Sequence, residues 1–476
     1  MLIKWKKAKW PDTPLITSKK VLKIFKLIFV VIVALLAMMS CANNEDPFLF
    51  DHGYLSFSRD TVLFDTLFTS RGSITHRFKV YNPGNNTIHI DEVKVGKENN
   101  SPYTLTINGE RGKKFQELEL LGHDSLLVLV DVTIDPLDSN LPFIVRDSAV
   151  FTVNGMQQDV KLLAWGQDAH FLGDIILSCD TRWTADRPYV LYSSILIDSL
   201  CTLHIDPGTR IYSNNSAALF VKGTILANGL PDQRILFTND RLDDNYKHAP
   251  GQWEGIFVLE GSKNNVLSYT DIRNAVRGIR LGAPDKDTIP EVNLYAVRIE
   301  NMSEYGIVTY TSDLAATNTL INNCNLGCVA NVAGGNYTYT HCTFSNYTFD
   351  FSRVGPVVTF SDNVLLEDNT LLEEDFKATM VNSIVWGTLP EEVLVSSGGK
   401  KAFNLLIENS LLKSQQFGGN DNLLNDDPLF LAPINYDYHL DQDSPAIDKG
   451  KDMGILQDHD GNPRIGLPDI GAFEKQ

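Results

Sequence analysis

A short pattern of apolar and polar positions recurs four times between residues 253 and 382. Each copy is a run of β-type residues that ends in an apolar residue, a variable residue and an asparagine. The copies are 270–274, 297–301, 319–323 and 342–346, and their asparagines are 27, 22 and 23 residues apart. A period in the low twenties is too short for helix pairs and is typical of stacked coils rich in Val, Ile, Thr, Tyr and Phe. The pattern predicts a parallel β-helix.

The alternation within each copy predicts which side chains point inward. Successive side chains of a strand point to opposite faces, so the apolar residues Ile272, Ile299, Ile321 and Phe344 share an inward row. The asparagines fall on the same face, where they can stack as a hydrogen-bonded ladder. On the outward face we expect Asp271 beside Arg298 and Arg273 beside Glu300, about 4.8 Å apart on neighbouring coils. Such cross-strand pairs contribute about 0.2–1 kcal/mol each.

The chain before the repeats has a different pattern. Between residues 47 and 168, short alternating runs are separated by turn signals such as Asn108-Gly109 and Asn154-Gly155. About seven strands in about 120 residues match the size of an immunoglobulin-like fold. The sequence therefore predicts an all-β chain, with an Ig-like β-sandwich at 42–168, a parallel β-helix at 169–412 and a final segment at 413–476.

The first 41 residues have the composition of an export signal. Eight lysines precede an apolar run of 13 residues, 27–39, which is too short to span a membrane comfortably and ends in Ser40-Cys41. This stretch resembles a bacterial lipoprotein signal. The resemblance implies that Cys41 becomes a lipidated N-terminus anchored in the membrane, although an ordinary cleaved signal is the alternative. The acidic tether at 43–46 resembles those that send lipoproteins to the outer cell surface, so we expect a surface-exposed outer-membrane protein.

Charge and cysteine content narrow the possible partners. Without the eight lysines and Asp12 of the leader, 33 basic and 58 acidic residues remain, a net charge of −25. This balance argues against nucleic acid as a partner, and nothing in the sequence predicts a cofactor. Cys342 falls on the inward row, which predicts a buried thiol. Cys179 and Cys201 are about one coil apart, and we expect stacked neighbours without a bridge, with a disulfide as the alternative.

The end of the chain contains a series of motifs in a fixed order. They are Asp427-Pro428-Leu429-Phe430, Tyr438-His439-Leu440, 444–450, 458–464 and 469–474. This series resembles the terminal segment of secreted bacterial β-helix proteins of the choice-of-anchor Q type, and the coils resemble the right-handed β-helix superfamily that includes pectate lyases. The resemblance implies a right-handed helix whose last coil the segment caps. Asp458 and Asp460 could instead bind calcium, but Asp-x-Asp-Gly is also ordinary turn chemistry.

The residues that could bind a ligand lie in the predicted β-helix. The sequence contains no G-x-S-x-G, HExxH or P-loop motif, and the outward charges are already explained by cross-strand pairing. The functional alternative is a local basic site for an acidic glycan, formed by Arg273, Arg277, Arg280 and Arg298. Aromatic rings that could stack on sugars are Trp253, Tyr269 and Tyr310.

Three functions are compatible with these observations. The first is a non-catalytic surface lipoprotein that presents a β-helix face to a glycan or to an envelope protein. The second is a polysaccharide lyase or glycosidase, whose paired acids a solenoid could assemble from distant residues. The third is a structural subunit of an outer-membrane transport or barrel-assembly complex. We rank the non-catalytic functions first.

Overall fold

The computed structural model describes residues 54–69, 72–137, 140–282, 287, 289–349, 353–366 and 368–476. The leader and Cys41 lie outside this part of the chain, so the predicted lipidation site has no structural description. The described residues form an all-β fold with three single-turn 3-10 helices, Glu98–Asn100, Asp244–Tyr246 and Pro433–Asn435. Within these residues, no helix has both the length and the apolar character needed to cross a membrane.

The first domain is a β-sandwich of ten strands. They are β1 (Ser56–Phe57), β2 (Thr61–Phe68), β3 (His76–Tyr81), β4 (Ile88–Val95), β5 (Tyr103–Ile107), β6 (Glu110–Gly112), β7 (Lys114–Leu120), β8 (Ser125–Val132), β9 (Phe143–Val153) and β10 (Met156–Gln167). Two five-stranded sheets, in the orders β1-β3-β8-β5-β6 and β2-β10-β9-β4-β7, enclose one apolar core. Our count of about seven strands was too low, because strands as short as β1 and β6 carry no alternating pattern.

The second domain is a right-handed parallel β-helix of three long sheets. Sheet 1 contains β11 (His170–Leu172), β14 (Tyr189–Leu191), β17 (Arg210–Ser213), β20 (Ile235–Asn239), β23 (Thr270–Arg273), β26 (Arg298–Met302), β29 (Leu320–Cys324), β32 (Thr343–Asn346), β37 (Ile384–Gly387), β40 (Leu411–Leu412) and β41 (Leu423–Leu424). Sheet 2 contains β12 (Ile175–Ile176), β15 (Ile195–Ile197), β18 (Ala218–Val221), β21 (Gly255–Leu259), β24 (Ile279–Gly282), β27 (Tyr305–Tyr310), β30 (Gly327–Val332), β33 (Val358–Ser361) and β38 (Val393–Ser396). Sheet 3 contains β13 (Thr181–Trp183), β16 (Thr202–Ile205), β19 (Thr224–Asn228), β22 (Asn265–Ser268), β25 (Val292–Tyr295), β28 (Leu314–Thr317), β31 (Gly335–Thr340), β36 (Phe376–Val381) and β39 (Phe403–Glu408).

In the described part of the chain, nine coils contribute one strand to each sheet, and β40 and β41 extend sheet 1 alone. The core is a column of stacked inward side chains. The predicted register is confirmed, since Asp271 pairs with Arg298 and Arg273 pairs with Glu300. Ile272, like its counterparts in the next three coils, is fully buried in the core. The outer strand pairs therefore follow from the repeat alone.

The asparagine ladder forms over fewer coils than predicted. Asn301 donates to Asn274 (3.2 Å), which donates to Asn239 (2.7 Å). Asn274 follows the end of its strand and has a positive φ of 62°, so it lies in the turn rather than in the strand. Asn346 instead bonds to the backbone of Cys324, and the ladder ends at Asn301.

Two further expectations were wrong or partly wrong. Cys179 and Cys201 form a disulfide, because stacking of adjacent coils brings their Cα atoms to 4.4 Å. The final segment covers the end of the helix only in part, where Phe417 and Leu424 pack against the core. Its remainder lies along the outward face of sheet 1.

That remainder contains a hairpin formed by β42 (Phe430–Ala432) and β43 (Asp437–Leu440). A separate hairpin, formed by β34 (Asn363–Leu365) and β35 (Leu371–Glu373), lies earlier in the chain. The apolar residues of the remainder form a second core with the outward side chains of sheet 1, including Leu320 and Trp386. Polar contacts anchor it further along, where His459 Nδ1 donates to the carbonyl oxygen of Asn318 (2.8 Å). The outward row of sheet 1 is therefore largely buried.

Candidate functional site

A loop between β20 and β21 protrudes from the helix at residues 240–252. The Asn274 side chain holds this loop, because its Nδ2 donates to the carbonyl oxygens of Tyr246 (3.2 Å) and Lys247 (3.0 Å). The loop has two sides. One side faces the sandwich, and the other faces the final segment.

A recess of about 480 Å³ lies between the loop, sheet 1 and the final segment. We call it the basic recess. The loop contributes Lys247 and His248, and the final segment contributes Ile434, Asn435 and Tyr436. Sheet 1 supplies its floor, which is formed by Arg273, Arg298 and Glu300. Two of the four arginines predicted to form a basic site are thus brought together.

The ion pairs on the floor leave hydrogen-bonding capacity unused. Arg273 Nη2 lies 2.8 Å from Asp271 Oδ2, and its Nε lies 3.3 Å from Glu300 Oε2. Arg298 Nε lies 3.9 Å from Glu300 Oε1. Both Nε atoms are buried, and neither makes a hydrogen bond with any described residue. A buried donor without a hydrogen bond is costly, and the attraction of the Glu300 carboxylate offsets part of that cost for both guanidinium groups.

The charges behind the floor keep the arginines ionised and fixed. Asp271 is buried and also accepts from Arg234 Nε at 2.7 Å. Burial opposes ionisation of Asp271, but the charges of Arg234 and Arg273 outweigh it and hold its pKa below the usual value. The pKa of Arg273 is raised, since the attraction of Glu300 and Asp271 exceeds the opposing effect of burial.

One wall of the recess is aromatic. His248 stacks on Tyr436, with ring centroids 4.6 Å apart and an interplanar angle of 17°. Tyr436 follows the 3-10 helix with a positive φ of 64°, and its hydroxyl donates to Asn301 Oδ1 at 3.1 Å. The asparagine ladder therefore supports both the loop and this wall.

The other predicted binding residues lie elsewhere. Arg277 pairs with Glu304 at 2.6 Å. Arg280 lies on the outward face of sheet 2, over the rings of Phe257 and Tyr310 at 5.8 and 5.2 Å. These two rings are partly exposed, so this face keeps an aromatic surface, separate from the basic recess.

Two aromatic candidates were wrongly expected to be exposed. Trp253 is fully buried in the helix core, where its Nε1 donates to the carbonyl oxygen of Arg273 at 2.8 Å. Tyr269 is also buried and packs edge-on against Tyr295, and burial raises its pKa to about 12. Both residues flank strands, and the turns direct their rings toward neighbouring coils rather than toward solvent.

Asp458 and Asp460 have structural partners. Asp458 accepts backbone N–H groups from Asp460, Asn462 and Glu474 at 3.0, 2.8 and 3.1 Å, which is turn chemistry. Asp460 binds His439 Nε2 at 2.9 Å. In the described part of the chain, no three His, Cys, Asp or Glu side chains are grouped to hold a metal ion.

Sequence reasoning missed Lys247, His248 and Tyr436. One signal could have located the loop residues. Residues 237–239, Phe-Thr-Asn, repeat the apolar-x-asparagine phrase 35 residues before Asn274. Because a coil needs only about 22 residues, the additional residues in this interval predict a loop. This loop leaves the β-helix next to the strands that contain the repeated pattern. Nothing comparable marks Tyr436, which reaches the site only through the return of the final segment.

Comparisons with known proteins concern the fold only. No family model and no curated protein matches this chain. Among solved structures, the catalytic unit of a GH87 α-1,3-glucanase from Streptomyces thermodiastaticus is 10% identical and has a TM-score of 0.26, over 70% of this chain and 79% of its own. The PapD-like domain 7 of human CEP192 is 11% identical and has a TM-score of 0.17, over 27% of this chain and 94% of its own. The E. coli chaperone DraB is 11% identical, also with a TM-score of 0.17, over 24% of this chain and 54% of its own.

Proposed function

We propose that this chain is a non-catalytic binding module of the outer membrane, anchored through lipid on Cys41 and exposed at the cell surface, that holds an acidic glycan at the basic recess. One observation carries the glycan part. Arg273 and Arg298, whose side chains are 32% and 22% exposed, both line one recess on an otherwise acidic protein. Guanidinium groups bind carboxylates and phosphates as paired donors.

The charge of the lining supports an anionic ligand. Lys247, Arg273 and Arg298 face a single carboxylate, Glu300, within the described lining. Glu300 is buried and already receives a hydrogen bond from Asn322 Nδ2 at 3.3 Å. Glycosidases use two carboxyl groups that flank the scissile bond, whereas this lining offers one that is engaged. The arrangement supports binding of a uronate carboxylate, with the His248–Tyr436 wall beside the sugar ring.

The glycan proposal is tested with a matched pair of polymers. Detergent-solubilised, full-length lipoprotein is immobilised, and binding of polygalacturonate is compared with that of its fully methyl-esterified, neutral form. We expect binding only of the acid form, weakening as salt increases. Arg298→Gln combined with Lys247→Gln should weaken it at least tenfold. Lys222→Gln, an exposed lysine outside the recess, is the matched control and should change nothing.

Two results would contradict the glycan proposal. Equal binding of the acid and ester forms would show that charge plays no part. Unchanged binding by the Arg298→Gln, Lys247→Gln protein would move the site away from the recess. Near-ultraviolet circular dichroism of each variant verifies that the fold is retained.

The anchoring proposal rests on the leader sequence and has its own test. Cells grown with an alkyne-tagged fatty acid should label the wild-type protein and not Cys41→Ala. Proteinase K added to intact cells should digest the labelled protein if it faces outward. Labelling of Cys41→Ala, or protection from the protease until the outer membrane is opened, would overturn the corresponding half of the proposal.

A further inference from the structure

A second and larger cavity lies on the opposite side of the loop, between the sandwich and the helix. It encloses about 1250 Å³, and we call it the acidic cleft. One wall is strand β2 of the sandwich, and the other is the loop segment 240–246. A tilted contact between the rings of Phe68 and Tyr212, with centroids 4.9 Å apart, joins the two domains beside the cleft. The proposed function makes no use of this cavity.

The β2 wall is an unpaired strand edge. Strand β2 ends its sheet and pairs only with β10 among the described strands. Six consecutive residues, 63–68, line the cleft. Because successive side chains of a strand point to opposite faces, a wall of consecutive residues exposes the edge itself. The edge therefore presents backbone N–H and C=O groups that another extended chain can pair with.

The pairing of β2 with β10 contains a bulge at this position. Leu63 is opposite Leu163, but Thr66 is opposite Trp165, so β2 has one extra residue in between. A bulge of this kind redirects side chains and is frequent beside functional sites. Leu63 is 53% exposed and Asp65 is also exposed, so apolar and acidic side chains flank the free edge.

The opposite wall is strongly acidic. The lining contains four carboxylates, Asp65, Asp240, Asp243 and Asp244. Its permanent cation, Arg241, lies over the ring of Tyr246 with its Cζ 3.3 Å from the centroid. Asp243 Oδ1 is buried and makes no hydrogen bond with any described residue. Burial, together with the charge of Arg59, lowers the pKa of His76, so this lining residue does not offset the acids at neutral pH.

We propose that the acidic cleft docks an extended, basic peptide segment of a partner protein, which adds a strand to the free edge of β2. About six residues of such a segment span the lining part of β2, roughly 20 Å at 3.3 Å per residue. Lysine or arginine side chains that point toward the loop meet its aspartates, Asp240, Asp243 and Asp244. Apolar side chains on the other face contact Leu63 and Trp165. Charge excludes the acidic ligand proposed for the basic recess, so the two sites are independent.

The first experiment identifies the ligand class without assuming a partner. The detergent-solubilised, full-length protein is used to select from a phage-displayed library of random twelve-residue peptides. We expect enrichment of peptides that alternate Lys or Arg with β-branched or aromatic residues. A synthetic peptide of the enriched sequence should bind at least tenfold more weakly to Asp65→Asn, Asp243→Asn protein. Lys247→Gln protein, altered only on the recess side of the loop, should bind it normally.

The second experiment tests strand pairing without changing the protein. Two versions of the selected peptide are methylated at alternate backbone nitrogens, one on the odd and one on the even positions. In a strand, alternate N–H groups point to the same edge, so one version should lose at least tenfold in affinity and the other little.

Three outcomes would overturn the proposal. They are equal loss by both methylated peptides, selection of acidic peptides, and no enrichment at all. Binding of a neutral oligosaccharide panel that Asp243→Asn abolishes would also overturn it and would assign the cleft to sugars. None of these results depends on polygalacturonate binding, so failure here is distinguishable from failure of the glycan proposal.

Discussion

The two sides of the loop at 240–248 differ in charge, although only one residue boundary separates them. Tyr246 lines the acidic cleft, and Lys247 lines the basic recess. The cleft draws its carboxylates from the loop itself and from the sandwich. The recess draws its guanidinium groups from sheet 1, where residues one coil apart stand side by side. The negative charge of the cleft therefore comes mainly from the loop, whereas the positive charge of the recess comes mainly from sheet 1 across from the loop. A chain with a strong acidic balance can thus still form a basic site.

The two sites also differ in the elements that form their walls. The cleft is bounded by the sandwich and the loop, whereas the recess needs the final segment for its Tyr436 wall. Removing that segment from sheet 1 should open the recess and leave the cleft unchanged. Four changes, from the largest expected effect to the smallest, test this distinction.

Arg464→Gln should have the largest effect. Arg464 pairs with Glu474 at 3.0 Å, with both side chains only 3% exposed, and it also donates to Asn318 Oδ1. Removing one partner of a buried pair costs about 3–5 kcal/mol. Denaturant unfolding should report this loss, and polygalacturonate binding should fail while peptide binding persists. Arg182→Gln, which removes an exposed ion pair to Asp206, is the control and should change little. Equal loss at both sites would contradict this separation.

Acidification should have the second-largest effect, because it should weaken the binding of the final segment to sheet 1. His341 is buried against this segment and His459 is a buried residue of it. Burial first, then nearby arginine charges, lowers the pKa of each to about 3. Both stay neutral in the fold, while the unfolded chain takes up protons below pH 6.5. Stability should therefore fall between pH 6.5 and about 3, by about 1.4 kcal/mol per pH unit for each histidine. Unfolding at pH 7, 6 and 5 measures the slope.

The control for this prediction is His459→Gln, which should reduce the slope by about half. His439 does not contribute in this window. Its hydrogen bond to Asp460 raises its pKa, so its stabilisation is complete below pH 6.5 and is lost only as the pH rises through the raised value. An identical slope in the His459→Gln protein would disprove the assignment.

Asn274→Gly should weaken both sites at once. The substitution keeps the positive φ of 62° but removes the side-chain hydrogen bonds to Tyr246 and Lys247. At about 1 kcal/mol per bond, the loop should lose about 2 kcal/mol. Asn301→Gly has the same backbone conformation but loses the bonds to Tyr436 and to Asn274 Oδ1, while Asn274 keeps its own bonds to the loop. It should affect polygalacturonate binding alone, and an effect on peptide binding would count against this division.

The smallest effects should come from single charges at the rims. Lys247→Gln should weaken polygalacturonate binding by about threefold, and Asp244→Asn should weaken peptide binding by a similar factor, because exposed pairs contribute about 0.2–1 kcal/mol. Each variant should leave the other ligand unaffected at physiological salt. Titration of both ligands against both variants provides the comparison, and any crossed effect would indicate a shared site.

Nearest-neighbour patterns were readable from the sequence. The period located the coils, and the alternation alone placed Asp271 beside Arg298, where the two residues do pair. It also placed Arg273 and Arg298 diagonally on adjacent coils, each opposite an acidic residue of the other strand. The prediction that Tyr269 is exposed failed because this residue lies in a turn, where the alternation of a strand does not fix the side-chain direction, and its ring packs against Tyr295 of the next coil.

The sequence by itself determined the two domains, the stacked strands and the pairing of the outer rows, because each depends on contacts within one period of the chain. Only the tertiary structure decided that the final segment covers sheet 1, for example through the contact of Asn318 with His459, 141 residues away. It alone also placed the edge of β2 opposite the loop. Such contacts join segments that do not belong to the same repeat. Their energy depends on packing and burial, which the local pattern of apolar and polar residues does not show.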